Sequence, residues 1–392
     1  MDWSFLIRNK SALSVTTDSR RVTRGCVFVA LRGEHFDGND YVEQARRDGA
    51  EYVICGDNAL AELQDLARAW RRELGLPVIG ITGTNGKTTT KELLAAVLST
   101  KFNIHYTQGN YNNALGVPLT LLQITREHEM AIVEMGASHP GDIRELVDIA
   151  EPDYGLITNV GRAHLEGFGS FEGVMRTKRE LYDYLCAHNA TIFRNEDNPH
   201  LADMLDKARR ENINCQLSIV NYHTGTMPDG MHLVGGYNAE NVSAALCVGG
   251  YFGVSHDDAL AAVRAYVPSN NRSQRILTAD NTLIVDAYNA NPTSMAAALA
   301  EFTGDTCILG SMRELGTYTH LEHQNIVNML AERKVPQVLL VGNEWNTTTA
   351  PYPVFADVSE LRQWLLANPL KGRIVLLKGS HSVQLEKLLD VL

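Results

Sequence analysis

A chain of 392 residues is longer than one ordinary hydrophobic core needs, so two or three domains are expected. Hydrophobic residues at 44% and charged residues at 21% describe a soluble globular composition, and a formal net charge of −11 argues against a general nucleic-acid or membrane-surface binder. The six cysteines, at 26, 55, 186, 215, 247 and 307, form no Cys-x-x-Cys pair and read as free thiols of a reducing compartment. The opening MDWSFLIRNK has only a short apolar piece broken by charge, and no apolar run reaches membrane-spanning length, so a cytoplasmic location is expected.

In chain order, residues 1–76 read as a small α/β unit. GCVFVAL (25–31) and AEYVIC (50–55) are short apolar strands, YVEQARRDG (41–49) has helical spacing, and ALAELQDLARAWRREL (59–74) is an amphipathic helix. Residues 77–268 follow as a second domain: the strand PVIGIT, a glycine turn, the helix KTTTKELLAAVLSTKF, then strands EMAIVEMG (129–136) and DYGLITNVG (153–161) around the helix GDIRELVDIA (141–150). Strands alternating with helices imply a parallel sheet with helices on its faces. YNAENVSAALCVGGYFG (237–253) adds a helix after an Asn-rich turn. The polar, Pro-containing stretch 265–276 marks a boundary, and residues 269–392 restart the alternation. Strands TLIVDA, TCILG, QVLLVG and RIVLLKG interleave with helices PTSMAAALAEF, HLEHQNIVNMLAERK, SELRQWLLAN and SVQLEKLLDVL.

The first strand of the second domain feeds Gly83, Thr84, Asn85, Gly86, Lys87 and Thr88, with Thr89 behind them. A strand, a glycine turn and a helix start aim backbone N–H groups and the positive end of the helix dipole at one point, which suits phosphate. Lys87 would neutralise phosphate charge and Thr88 could place a hydroxyl on Mg²⁺. The longer phosphate-loop spacing needs glycine at position 81, which is Ile81, so the loop is a short form. Glu134 ends one strand and His164 follows the next, and both should reach the carboxyl edge of the sheet, where open α/β folds bind ligands. Alone, each is an ordinary polar residue; the shared edge is the argument. Lys178, in RTKRELYDYL, reads by itself as a surface helix lysine, and it could bind a cation only after conversion by CO₂ to a carbamate. Asp286 ends the first strand of the last domain, where an acid suits a ribose hydroxyl; Arg272 lies in the linker, and Lys378 ends a later strand.

The strings GTNGKTTTKE, GNYNNALGVPLTLL, AIVEMGASHPGDI, NVGRAHLEGFGSFEGVMRTKREL, GGYNAENVSAAL and VDAYNANPTSM together resemble the Mur ligases of peptidoglycan synthesis, and most of all the members that add D-alanyl-D-alanine. TTDSRRVTRGCVFVALRGEHFDGNDY resembles their N-terminal UDP-binding domain, and LGSMRELG and LKGSHS their C-terminal domain. The short loop is the form this family uses. The resemblance implies a small N-terminal α/β domain, a central mostly parallel sheet of phosphate-loop type with helices on both faces, and a C-terminal Rossmann-like domain. It implies a monomeric ligase that takes ATP, UDP-N-acetylmuramoyl-tripeptide and D-Ala-D-Ala, and works through an acyl phosphate. Two Mg²⁺ ions are implied, at Thr88 and Glu134 and near His164 and a carbamylated Lys178. Asn113 matches a residue near the reacting phosphate, Asn238 and Asn241 the adenine-side helix, Arg272 the phosphate-binding arginine and Asp286 the ribose-binding acid. Asp18, Ser19 and Arg20 match the strip that meets the UDP part.

Two features depart from the family pattern. Ser311 stands where the family commonly has Asp, in Gly310-Ser311-Met312, and the segment CQLSIVNYHTGTMPDGMHL is short, so the edge of the central sheet is expected to be trimmed. The competing readings are a sister ligase adding one amino acid (diaminopimelate or lysine), a folylpolyglutamate synthase and a non-catalytic nucleotide-binding homologue. The first usually carries Asp-Asn-Pro-Arg in its last domain. Here DNP falls at 197–199 and is followed by His.

Overall fold

A computed structural model describes residues 2–212, 215–268 and 271–392. The expected domain boundary at 268/269 abuts residues 269 and 270, which lie outside the described residues, as do 213 and 214 at the head of the short segment.

The first lobe holds three parallel strands, β1 (Val15–Thr16), β2 (Val27–Val29) and β3 (Tyr52–Ile54), in that order. The expected strands there contract to three residues each. The helix Ala59–Leu74, stopped by Gly75 in the left-handed region, turns its apolar stripe to the neighbouring lobe: Leu63, Leu66 and Trp70 share one buried core with Leu121, Ile124 and Leu146. Trp70 Nε1 donates to the Ile124 carbonyl at 2.8 Å, so the indole's one polar atom is satisfied inside that core.

The second sheet is wholly parallel: β4 (Val78–Thr82), β5 (Ile104–Tyr106), β6 (Met130–Glu134), β7 (Tyr154–Ile157), β8 (Thr191–Asn195) and β9 (Ser218–Tyr222), in the order β5-β6-β4-β7-β8-β9. Every residue of β4 and β6 is buried, because helices cover both faces. Along β6, Ala131 and Val133 face one core, while Met130 and Ile132 face the other with Leu93, Leu94 and Val97 of the helix Lys87–Leu98. The short segment supplies β9, which pairs with β8 over five residues at the edge of the sheet. Chain order reverses at β4, which lies between β6 and β7. That switch point opens a crevice at the strands' carboxyl ends, and the loops after β4, β6 and β7 all border it.

The third sheet runs β10 (Gln274–Leu277), β11 (Thr282–Asp286), β15 (Ile374–Lys378), β12 (Thr306–Gly310), β13 (Gln337–Val341) and β14 (Val354–Phe355), parallel except for the β10–β11 hairpin. Two expectations are corrected here. Residues 274–276, read as polar linker, begin an edge strand whose half-exposed pattern carries little apolar signal. The C-terminal SVQLEKLLDVL is not an α-helix but two 3₁₀ turns, His381–Val383 and Leu385–Leu388, broken by Gln384 at φ 61°, a left-handed conformation no α-helix interior accommodates. Val383, Leu385 and Leu388 are buried all the same, which is what the sequence pattern registered. The second and third lobes meet through shared apolar packing: Leu165, Phe168 and Val174 join Met312, Leu315 and Met295 in one buried cluster.

On β5, the His105 ring lies 5.2 Å from that of His128, its Nε2 is buried without a partner, and burial pushes its pKa down to about 4. The folded state therefore holds this ring neutral where an unfolded chain would protonate it below roughly 6.5. Stability is expected to fall as pH drops from about 6.5 towards 4, with no contribution above that window. Urea melts across this range should show a flatter acid limb for His105→Gln than for the parent protein.

Candidate active site

Between the second and third lobes lies a cleft of about 1240 Å³. Its floor is the loop after β4. Gly83 has φ 148° and Gly86 has φ 80°, and a Cβ added at Gly86 would meet Asn241 Oδ1 at 2.2 Å. A Cβ added at Gly83 would meet Thr158 Oγ1 at 1.9 Å, so both glycines are required by angle and space together. Asn241 also accepts from Thr90 Oγ1 at 3.0 Å and donates to Asn238 Oδ1 at 2.8 Å, so the helix Ala239–Tyr251 braces the loop from beside it. Lys87 Nζ curls back onto the carbonyls of Gly83 (2.8 Å) and Thr84 (3.1 Å). Desolvation lowers its pKa to about 8, with Glu134 opposing the shift and Arg272 reinforcing it. A lysine short of a counter-charge in this place is a ready partner for an anion.

Thr88 and Glu134 meet: Thr88 Oγ1 lies 3.2 Å from Glu134 Oε1, which also takes an N–H from Asn112 at 2.9 Å. Glu134 is 1% exposed, and its Oε2 has no hydrogen-bond partner among the described residues; Lys91 Nζ stands 4.0 Å away. A buried carboxylate oxygen left over beside a threonine hydroxyl is a hard donor set that suits Mg²⁺. Asn113 lines the cleft, with its Oδ1 accepting from the Gly116 and Leu115 N–H groups and so ordering the start of the helix Gly116–Leu122. His164 lines it too, in a left-handed conformation, with Nδ1 bonded to Glu314 of the third lobe. That hydrogen bond holds the Glu314 carboxyl below the usual range.

Lys178 does not line the cleft. It sits behind the wall on the helix Phe171–Ala187, 2% exposed, with its ammonium 5.8 Å from the Phe168 ring. Burial, and next the Lys87 charge, drive its pKa well below the usual lysine range, while Asp142 and Glu180 oppose the shift. The surface-lysine reading is overturned by that burial, and the downward shift favours the uncharged amine, the form to which CO₂ adds.

From the third lobe, the Arg272 guanidinium stacks 3.8 Å over the Tyr288 ring, and its buried Nε has no partner among the described residues. Asp286 pairs with Lys378 Nζ at 2.5 Å and accepts from Ser273 N–H at 3.3 Å. Asp18, Ser19 and Arg20 stand apart from the cleft on the first lobe, where the Asp18 carboxylate caps the turn Ser19–Arg21 and forks with the Arg20 guanidinium at 2.8 and 2.9 Å. Ser311, at the position of the missing acid, is fully buried, and its hydroxyl has no partner among the described residues.

Sequence reasoning missed Asn112, Lys91, Glu314 and Asn291. Lys91 had a signal, since it lies one helical turn after Lys87 and faces the same edge. Asn112 lay in a quoted string, beside the residue singled out. Nothing in the sequence marked Glu314 or Asn291 as neighbours of His164 and Asn85.

Three family models cover this chain: "Mur ligase family, catalytic domain" over residues 13–102, "Mur ligase middle domain" over 81–249 and "Mur ligase, glutamate ligase domain" over 271–381. A UDP-N-acetylmuramoyl-tripeptide–D-alanyl-D-alanine ligase of Bacillus subtilis is 32% identical to it over 95% of this chain and 92% of the relative. The chain belongs to the Mur ligase family. The relative of the same name from Escherichia coli is 33% identical over 97% of this Mur ligase and 93% of its own length. Among solved structures, MurF from Acinetobacter baumannii superposes with TM-score 0.84 at 28% identity, covering 96% of this chain and 92% of that one. MurF ligase from Thermotoga maritima in complex with ADP superposes at 0.85 and 26%, covering 98% of each. A diaminopimelate ligase structure matches at 18% identity and TM-score 0.52, a likeness of fold alone.

Proposed function

We propose that this Mur ligase joins D-Ala-D-Ala to the terminal carboxylate of UDP-N-acetylmuramoyl-tripeptide with conversion of ATP to ADP and phosphate. The observation that carries the reading is one cleft in which the short phosphate loop with Lys87 faces Arg272 of the next lobe, on a chain about one-third identical, along nearly all its length, to ligases of that name. The substrate carboxylate oxygen attacks the γ-phosphorus, and the bond to the β-phosphate oxygen breaks. The dipeptide's free amine then attacks the acyl carbon, a C–N bond forms, and phosphate leaves with the C–O electron pair while the nitrogen gives up one proton and keeps the other as the amide N–H. Loop N–H groups, Lys87 and Arg272 hold the phosphates and neutralise their charge; Asn113 borders the transferred group; Asn238, Asn241 and Asp286 border the nucleoside.

Thr88 and Glu134 would hold Mg²⁺, with His164 and a carbamylated Lys178 serving a second ion. Bound there, the ions supply charge neutralisation on the phosphate oxygens. In carbamate formation the neutral form of the Lys178 amine adds to CO₂ and loses one proton, leaving an anion where an uncharged amine stood. Residues 1–76, with Asp18, Ser19 and Arg20, take the UDP part, residues 77–268 take ATP, and residues 269–392 close over both. The enzyme works as a cytoplasmic monomer; among the described residues no helix is long and apolar enough to cross a membrane.

Phosphate release from ATP in the presence of UDP-sugar tripeptide tests the reading. Release that depends on D-Ala-D-Ala is the expected result. Release with single amino acids on the dipeptide precursor instead would transfer the chain to a sister ligase, and nucleotide binding without release would make it a non-catalytic homologue.

A further inference from the structure

The helix Pro292–Glu301 of the third lobe begins at Asn291, whose side chain does two things at once. Its Oδ1 accepts from the Ser294 N–H at 2.9 Å, and the Ser294 hydroxyl returns to the Asn291 N–H at 3.1 Å, a reciprocal cap. With the oxygen committed to the helix, the amide nitrogen is forced outward, and it donates at 2.7 Å to Asn85 Oδ1 in the phosphate loop. Asn85 Nδ2 faces back to Asn291 Oδ1 at 3.5 Å. Asn291 is 5% exposed and Asn85 is half-buried, so the contact between lobes is largely shielded from water.

Asn85 is itself tied to the body of the nucleotide site. Its N–H donates to Asn159 Oδ1 at 3.0 Å and its carbonyl accepts from Thr158 Oγ1 at 2.6 Å. Two residues into the same helix, Thr293 Oγ1 accepts the Arg162 N–H at 2.8 Å, and a Cβ at Gly161 would meet that hydroxyl at 2.6 Å. Thr84 Oγ1 accepts from the Gly161 N–H at 2.9 Å, which joins the two central loops to each other. One helix start thus rests on both loops that border the phosphates.

We propose that Asn291 is a positioning residue that latches the third lobe to the phosphate loop through Asn85, so that an ordered, occupied loop favours the closed cleft. This rests on the ligase reading for its catalytic consequence, but the latch has its own observable in lobe closure. The residue type is specific: Ser or Asp caps a helix as well as Asn, but neither has an N–H to give Asn85. By linkage, a contact made only in the closed state draws the lobes together and tightens nucleotide binding by the same factor.

The test uses Asn291→Ser, which keeps the cap, Asn85→Ala, which leaves the helix untouched, and the double variant. Melting temperatures should stay near the parent's for Asn291→Ser. With ADP and Mg²⁺, the decrease in radius of gyration seen by X-ray scattering should be reduced in both single variants. The KM for D-Ala-D-Ala should rise, and ADP affinity by calorimetry should weaken, each by about three- to tenfold, the range of one lost hydrogen bond. The double variant should be no worse than the poorer single one, because both remove the same contact. Parent-like compaction in Asn85→Ala and Asn291→Ser, or losses that multiply in the double variant, would overturn the latch. A parent enzyme that compacts with ADP but never releases phosphate would instead count against the ligase reading and leave the latch standing.

Discussion

Replacing Lys87 with alanine is expected to lower ligation by about a hundred- to a thousandfold, the range for losing one charge-stabilising donor at a reacting centre. In the structure the ammonium is spent on the carbonyls of Gly83 and Thr84, contacts that water or a neighbouring N–H can replace. Its pKa, lowered by burial to about 8, says that the folded protein gains little from the charge itself. The alanine variant should therefore melt near the parent temperature and fail at the chemistry. Single-turnover phosphate release alongside a thermal melt separates the two effects. Full activity in a folded Lys87→Ala variant would remove the phosphate-binding role.

Lys178→Ala is expected to bring a loss of about a hundredfold or more, the upper range for groups that support a metal site. Among the described residues Lys178 forms no ion pair, and burial together with the Lys87 charge shifts its pKa well below the usual lysine range, so a purely structural role would be hard to assign to its charge. The distinguishing readout is chemical rescue. Formate or acetate should restore part of the activity in Lys178→Ala by placing a free carboxylate where the carbamate stood, and should do nothing for Lys87→Ala. Parent-like activity in Lys178→Ala, or no rescue at any carboxylate concentration, would remove the carbamate.

Strands β4, β6 and β7 of the central sheet were legible in the sequence because they are buried on both faces, whereas β5, β8 and β9 were not named, and β5 and β9 are only partly buried. Runs such as PVIGIT and EMAIVEMG have no other stable home. The loop was legible for the same reason in reverse, since Gly83 and Gly86 are glycines that backbone angle and crowding demand. Strand β10 was not, because an edge strand with one face in water presents a mixed pattern, and its pairing with β11 is decided by tertiary contact. The final α-helix was misread because Val383, Leu385 and Leu388 satisfy an apolar spacing that two 3₁₀ turns satisfy as well. Among the residues that line the cleft, those placed there by the loop backbone or by a strand end, such as Gly86 and Glu134, were named from the sequence. Those whose meaning depends on a residue more than a hundred positions away, such as Glu314 on His164, were not. A local string holds no record of which loop will face it across a cleft.

The apolar cluster shared by Leu165, Phe168 and Val174 with Met312, Leu315 and Met295 has a thermodynamic consequence. Parting the lobes would wet hydrocarbon, so shutting them carries a negative heat capacity change on top of any due to nucleotide contact. The enthalpy of ligand uptake should then grow steadily more exothermic on warming, and the grip on substrate should slacken in the cold even though every polar contact is still available.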